Sequence, residues 1–311
     1  MEQVAQADPS PQSKKELEKA RAQRLRELRA IALFALTYDS SGLPMWQYYA
    51  ELKHLRMRPL LAEWYEARIA LNIAAEIRPS ATLRAINELR ALRAKRGEEE
   101  KFHKFEALFK SALGQTRFTN HGYGGNLLSD VDHSAVWARV SRHITVLSDR
   151  GYEVFLNSGT LLGVVRDQKL IDHDDDIDLA VILKAGSAVE AAAEWKGLTE
   201  DIRELGILDE ENFGMASIIK LLPVDKVQID LFPAWFEEDR LFVFPHTFGQ
   251  LTRGDVLPLR PCAVSGNPIP AEPEKMLAIN YGDGWREPDP YFKFPWVEAK
   301  RKFKTFQEAL A

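Results

Sequence analysis

Apolar residues recur at helical spacing through roughly the first 112 residues. The clearest run places one apolar side chain every fourth position, at Tyr65, Ile69, Ile73 and Ile77. Such a period aligns apolar side chains on one face of a helix. Breaks at 40–44 and at Pro79-Ser80 divide the stretch into successive helices. We therefore predict a helical N-terminal region over residues 1–115.

The pattern changes after an irregular, glycine-containing segment at 118–132, where helices begin to alternate with short apolar strands. The predicted elements are a helix at His133–Arg150, a strand at Glu153–Leu156, a turn and helix at Ser158–Arg166, a strand at Ile177–Leu183, a helix through Ala191 and Trp195, and strands near Ala216–Leu221 and Val227–Phe232. This order is typical of a small mixed sheet with helices packed on it. We predict an α/β (α+β) domain over residues 116–311.

Charge is distributed unevenly between these two regions. The chain is 45% hydrophobic, enough for a core, and its net charge is −5, which excludes a globally basic nucleic-acid binder. Residues 1–115 carry an excess of five positive charges, and residues 116–311 an excess of ten negative charges. The basic helices either form a bundle with solvated faces or dock on an anionic membrane face, a phosphorylated glycan or an acidic protein.

Cysteine and hydropathy bear on the cellular compartment. The single cysteine, Cys262, allows neither an intramolecular disulfide nor a thiolate metal cage. The longest apolar stretch, Ala30–Leu36, is far shorter than the ~20 residues that span a bilayer. We expect a cytoplasmic protein that is not transmembrane. Peripheral contact with the inner membrane face through the basic helices is an open alternative.

The densest chemical signal is the run Asp172-His173-Asp174-Asp175-Asp176-Ile177-Asp178, which leads directly into a predicted strand. Carboxylates this close repel one another unless a cation neutralises them. Because side chains alternate along a strand, Asp176 and Asp178 should share one face, while Ile177 and Leu179 occupy the other. Two carboxylates on one face form half of a site for a hard divalent cation.

A second strand supplies a candidate third carboxylate. Asp230 stands alone within the apolar run 227–231. A buried acid needs a metal or a counter-ion. Asp230 therefore either completes the metal site or forms an ion pair with a neighbour such as Lys220 or Lys226.

A small-residue turn precedes the acidic run. Gly159 and Thr160 follow the predicted strand at Glu153–Leu156, and Arg166 comes seven residues after Gly159. Backbone N–H groups at such a turn can contact phosphate oxygens, and an arginine can add a two-pronged phosphate contact. We predict that Gly159, Thr160 and Arg166 bind the phosphate side of a substrate.

Four motifs in this order resemble the LicD family, a branch of the nucleotidyltransferase fold that includes fukutin and fukutin-related protein. The segments are 157–166, 174–178, 227–233 and a closing Tyr281-Gly282-Asp283-Gly284-Trp285, within a resemblance that covers roughly 133–290. Where many members place tryptophan before the aspartate run, this chain has His173. The histidine is either a loop residue without a catalytic role or a base or phosphate contact.

The resemblance implies a transferase that modifies glycans in cell-surface polysaccharide biosynthesis. Members move a phospho-alcohol such as phosphocholine or phosphoribitol from a CDP-linked donor to a glycan or polyol hydroxyl, and CMP is released. By resemblance, Asp176, Asp178 and Asp230 are the catalytic metal ligands for Mg²⁺ or Mn²⁺, and Gly159, Thr160 and Arg166 contact the donor phosphates. We expect no nucleic-acid partner.

Two other functions compete with this interpretation. A nucleotidyltransferase on the same fold would transfer the nucleotide itself and release pyrophosphate. A non-catalytic module would bind a partner through its helices and a cation through its aspartates. A calcium loop of the EF-hand type is disfavoured, because the run lacks the spaced ligands, central glycine and closing glutamate of that motif.

Overall fold

A computed structural model of the protein describes residues 11–38, 42–56, 61–114, 122–123, 127–212, 215–289 and 291–311. It forms two compact units. The helical unit comprises residues 1–124 together with Tyr291–Lys293, and the sheet unit comprises 125–290 with Phe294–Ala311. The predicted domain boundary between residues 115 and 116 lies outside the described residues, and so do residues 118–121 and 124–126 of the predicted linker at 118–132.

The described part of the helical unit contains five helices, α1 (Pro11–Thr37), α2 (Met45–His54), α3 (Ala62–Ala74), α4 (Pro79–Lys95) and α5 (Glu99–Leu113). Helix α3 is central, because it packs against the other four. Its core side chain Ile69 is fully buried, as are Leu28 of α1 and Ile86 of α4. Burial of these apolar faces is the main source of stability for helices of this length.

The break between α3 and α4 differs from the prediction. Helix α3 ends at Ala74, so Ile77 lies between helices, and Pro79 is the first residue of α4. Glu76 and Arg78 have left-handed backbones, with φ of 51° and 53°. These conformations end the helix, whereas proline is well suited to the first helical position, where its missing N–H is not needed. Residues 40 and 41 of the other predicted break lie outside the described residues.

The sheet unit combines eight strands with seven helices in its described residues. The strands are β1 (Glu153–Leu156), β2 (Asp176–Ile182), β3 (Ile219–Val224), β4 (Val227–Glu237), β5 (Arg240–Val243), β6 (Thr247–Thr252), β7 (Arg260–Pro261) and β8 (Pro268–Ile269). The helices are α6 (His133–Ser148), α7 (Ser158–Leu162), α8 (Ala188–Glu204), α9 (Arg253–Val256), α10 (Pro273–Tyr281), α11 (Trp296–Lys302) and α12 (Lys304–Leu310).

Strands β1 to β6 form one mixed sheet in the order β1-β2-β4-β5-β6, and β3 also pairs with β4. Strand β4 runs parallel to β2 and antiparallel to β3 and β5. Helix α8 packs on β4, and α6 packs on β1. The predicted α/β class with a small mixed sheet is confirmed.

The sheet extends further than the sequence pattern indicates. Strand β4 continues five residues beyond the predicted end at Phe232, through Pro233, and pairs with β5 in a hairpin that was not predicted. Proline usually marks the end or edge of a strand because it lacks an N–H group. Here the carbonyl of Pro233 still accepts a hydrogen bond from the N–H of Phe244 (3.1 Å). Among the described helices, none has both the length and the apolar character needed to cross a bilayer.

Candidate active site

Three carboxylates converge where β2 and β4 run side by side. The parallel register places Asp178 directly beside Asp230. Strand alternation brings Asp176 to the same face, while Ile177 is fully buried on the other. One carboxylate oxygen from each of the three aspartates lies within 4.8 Å of the others. The pairing of the two strands therefore brings together the three residues predicted as metal ligands.

Burial makes this concentration of negative charge costly. Asp178 and Asp230 are only 8% and 5% exposed, and Asp176 is half-buried. Burial, followed by the negative charge of Asp178 and Asp174, raises the pKa of Asp176 well above its ordinary range. Burial, followed by Asp174 and Asp230, has the same effect on the pKa of Asp178. A bound cation would relieve both effects.

The acidic loop before β2 adds further carboxylates. Asp174, Asp175 and Asp176 form a second group whose carboxylate oxygens lie within 4.8 Å of one another. The N–H of Leu128 donates to the backbone carbonyl of Asp174 (2.8 Å), which ties the loop to the segment before α6. At the start of the run, Asp172 and His173 are exposed.

Asp230 also has a positively charged partner. Lys220, its register neighbour on β3, places Nζ 2.6 Å from both carboxylate oxygens of Asp230. The ion pair considered as an alternative from the sequence is therefore present. It coexists with the position of Asp230 beside Asp176 and Asp178, so the lysine neutralises one of the three charges.

The turn after β1 holds Asp178 in place. The N–H of Gly159 donates to Oδ2 of Asp178 (2.9 Å), and the N–H of Asp178 donates to Oγ1 of Thr160 (2.8 Å). A Cβ atom on Gly159 would lie 2.6 Å from Oδ2 of Asp174, so only glycine fits. Gly159 thus contacts the carboxylate of Asp178 and Thr160 its backbone N–H, and their predicted phosphate contacts stay a prediction.

Arg166 lies in a π-helical turn, Gly163–Asp167, that follows α7. Its guanidinium donates to Asp167 through Nε (2.8 Å) and Nη2 (2.7 Å). The hydrogen bonds to Asp167 raise the pKa of Arg166 above its ordinary value. Asp167 therefore keeps the guanidinium charged and holds it in a fixed plane.

The residues present fit a hard divalent cation. All three converging side chains offer carboxylate oxygens, the donors that Mg²⁺, Mn²⁺ and Ca²⁺ prefer. The raised pKa values of Asp176 and Asp178 show that the described neighbours do not fully compensate their charge. A cation would supply that compensation.

A hydrogen-bonded pair beside the turn, Ser158 and His246, was not predicted from the sequence. Ser158 places Oγ 2.5 Å from Nε2 of His246, which follows β5. The two residues lie 88 positions apart, and no spacing or composition signal near His246 marks it. Only the pairing of β4 with β5 brings it to the turn.

Comparison with known proteins identifies the domain that carries this site. Residues 151–271 match the family model described as "LicD/FKTN/FKRP, nucleotidyltransferase domain". The matched stretch includes the turn, the acidic run and Asp230, and it ends before Tyr281. No curated protein matches the chain significantly. The match supports a general transferase role in the modification of glycans. The family resemblance is thus confirmed for residues 151–271, which contain the first three motifs and match a LicD-type nucleotidyltransferase domain.

Proposed function

We propose that the protein is a divalent-metal-dependent phosphotransferase that moves a phospho-alcohol group from a CDP-linked donor to a hydroxyl of a glycan or polyol. The observation that carries the proposal is the convergence of Asp176, Asp178 and Asp230 within 4.8 Å beside the Gly159 turn. A domain that only bound a partner would not need three converging, mutually repelling carboxylates, two of them buried.

In this proposal the three aspartates hold Mg²⁺ or Mn²⁺. When bound, the cation supplies positive charge that neutralises the donor diphosphate. Gly159 orients the Asp178 carboxylate through its hydrogen bond, and Thr160 fixes the Asp178 backbone. Arg166 presents a planar guanidinium to phosphate oxygens, and Asp167 keeps that plane fixed.

The transfer step joins the acceptor oxygen to the phosphorus that bears the alcohol. The bond from that phosphorus to the CMP oxygen breaks, and CMP departs with the electron pair. The acceptor proton passes to a carboxylate or to water. Asp230 is a candidate for this base as well as for the third ligand, because its pairing with Lys220 leaves both roles open.

The experiment uses the full chain with CDP-choline or CDP-ribitol, a polyol or glycan acceptor, and Mg²⁺ or Mn²⁺. We expect metal-dependent CMP release and a phosphodiester on the acceptor in phosphorus NMR. Asp178→Asn serves as the inactive control. Absence of CMP release from every CDP-linked donor would contradict the proposed donor class.

A nucleotidyltransferase is the second candidate, and the description of the matched domain favours it. Attack at the nucleotide phosphorus would leave the nucleotide on the acceptor. With CTP as the substrate, the same NMR experiment would then show pyrophosphate. This product pattern would replace the phosphotransferase proposal.

We propose further that the helical unit docks on an anionic membrane surface. Residues 1–115 carry an excess of five positive charges. The aromatic side chains of Phe34, Tyr38 and Trp46 are 52%, 62% and 61% exposed. Exposed aromatic rings with basic neighbours are typical of residues at a lipid headgroup layer. Sedimentation of the full chain with anionic but not neutral vesicles is expected. Equal sedimentation of the chain with anionic and with neutral vesicles would contradict docking on an anionic membrane. The partners considered from the sequence would then be an acidic protein or a phosphorylated glycan.

A further inference from the structure

Ser158, the first residue of α7, has an unusual backbone. Its φ is 44°, in the left-handed region that residues other than glycine rarely adopt. The residue is only 5% exposed. A strained conformation of this kind persists only where the surrounding structure enforces it, and it is common at functional sites.

The hydroxyl of Ser158 is fixed from two directions. Oγ shares a hydrogen bond with Nε2 of His246 at 2.5 Å, and it also bonds the side chain of Tyr281. These partners come from different parts of the sheet unit, the segment between β5 and β6 and the end of α10. Ser158 therefore connects three segments at one point.

Packing determines where the His246 ring lies. The rings of Phe232 and Phe294 contact it, with centroid distances of 5.3 and 4.8 Å. Nδ1 is covered and has no hydrogen-bond partner within the described part of the chain. The hydrogen bond to Ser158 is thus the polar contact that links the ring to the turn. Burial lowers the pKa of His246 to about 3, so the ring is neutral and adds no charge beside the aspartates.

The backbone conformation of the turn at Ser158 and Gly159 determines the hydrogen bond to the Asp178 carboxylate. The residue after Ser158 is Gly159, whose N–H donates to Oδ2 of Asp178. A change in the Ser158 backbone rotates the peptide that carries this N–H. Because there is no room for even a Cβ between Gly159 and Asp174, the turn cannot shift toward the acidic loop to compensate.

From this geometry we infer that Ser158 and His246 are positioning residues for the metal site: the bond between Oγ and Nε2 locks the turn that orients the Asp178 carboxylate toward a divalent cation. Neither side chain takes part in a chemical step. The inference rests on the proposed function, since it assumes that Asp178 is a metal ligand.

The test measures Mn²⁺ binding to the full chain by electron paramagnetic resonance, without donor or acceptor. In His246→Leu the hydrogen bond is lost, whereas in His246→Gln the amide nitrogen can occupy the position of Nε2. We expect about a tenfold weaker Kd for His246→Leu, since partners that orient metal ligands typically contribute ten- to a hundredfold in affinity. The glutamine variant should bind within about twofold of the wild type.

Ser158→Ala provides a second route that disturbs the core less. It should weaken Mn²⁺ binding at least as much as His246→Leu, because it removes the bond to His246 together with the bond to Tyr281. The double variant should bind no more weakly than Ser158→Ala, because the bond to His246 can be lost only once. Melting temperatures identify any variant that fails to fold. Wild-type affinity in Ser158→Ala, or a double variant whose loss is the product of the two single losses, would overturn the inference alone. A wild-type chain that binds no Mn²⁺ would instead overturn the proposed function.

Discussion

Each unit of the molecule buries carboxylates, but the two units treat them differently. In the helical unit, Glu66 is 2% exposed and bonds two arginines, Arg29 (2.5 Å) and Arg93 (2.7 Å). In the sheet unit, the buried Asp178 has Asp174, Asp176 and Asp230 as its charged neighbours, and the nearby cation, Lys220, bonds Asp230.

The difference lies in whether the charge of a buried carboxylate is compensated by side chains of the protein. A buried carboxylate that is paired with arginines has its desolvation cost offset by the attraction within the pair, so its role ends with the fold. A buried group of like charges raises the free energy of the folded state unless a bound cation neutralises it. Perturbed carboxylates of this kind are typical of active sites.

The largest effect is expected from the sheet unit. Asp176→Asn and Asp178→Asn should each reduce CMP release by about a thousandfold, because each removes charge that holds the cation. The melting temperature of the metal-free chain should hold or rise, since repulsion between aspartates is relieved. Activity assays and thermal unfolding check both parts. CMP release within a few-fold of the wild type would contradict the assignment of these ligands.

The matching substitution in the helical unit should have the opposite signature. Glu66→Gln leaves two arginines without their buried partner and should destabilise the protein by about 3–5 kcal/mol. CMP release per folded molecule should be unchanged. Denaturant unfolding measures the first quantity. The control is Glu16→Gln on exposed α1 surface, expected within about 0.5 kcal/mol of the wild type. Equal stability of the two variants would remove the contrast between the units.

Arg166→Lys keeps the charge but loses the planar two-pronged contact. We expect transfer to slow by about ten- to a hundredfold, with Mn²⁺ affinity unchanged, because the guanidinium is assigned to phosphate and not to the metal. Steady-state kinetics measure the rate of transfer, and Mn²⁺ titration measures the affinity for the cation. A lysine variant with full activity would show that Arg166 only pairs with Asp167.

Lys220→Met tests whether Asp230 is a metal ligand. The substitution removes the hydrogen bonds that Nζ of Lys220 donates to both oxygens of Asp230. If Asp230 coordinates the cation, Mn²⁺ affinity should rise by about three- to tenfold, which corresponds to roughly 0.7–1.4 kcal/mol and is within the range of an ion pair of modest strength. Unchanged affinity would instead favour Asp230 as the base that takes the acceptor proton.

The smallest effect is a pH dependence of stability in the metal-free chain. The folded state raises the pKa of Asp176 and Asp178 above the ordinary aspartate value of 3.8, so it retains protons that the unfolded chain has lost. The stability from this source is complete below 3.8 and disappears as the pH rises through the raised pKa values. Comparing the thermal unfolding of the wild type with that of Asp176→Asn at each pH isolates this contribution. Bound Mn²⁺ should remove the difference in stability between the two proteins at high pH.

The titration of His246 changes the stability of the protein with pH in the opposite direction to that of the aspartates. The two contributions must be measured separately. Because burial lowers the pKa of His246 from 6.5 to about 3, the folded state binds fewer protons than the unfolded chain. Its contribution is therefore lost as the pH falls below 6.5. Subtracting the Asp176→Asn curve from that of the wild type cancels the histidine. A flat difference curve would contradict the raised aspartate pKa values.

The sequence by itself determined the elements on which the aspartates lie. Alternation along the predicted strand placed Asp176 and Asp178 on one face, because side chains repeat every two residues whatever the strand pairs with. The isolated Asp230 in an apolar run pointed to a buried acid that needs a partner. Motif order was enough to identify the LicD-type domain.

Only the tertiary structure decided which of these residues meet. The parallel register of β2 and β4 sets Asp178 beside Asp230, and the antiparallel β3 adds Lys220, so that Asp230 lies among the aspartates and also forms an ion pair. His246 reaches Ser158 across 88 residues. Local periodicity reports which face a side chain occupies. It carries no information about which strand comes next to it, because pairing is chosen by the packing of the whole sheet.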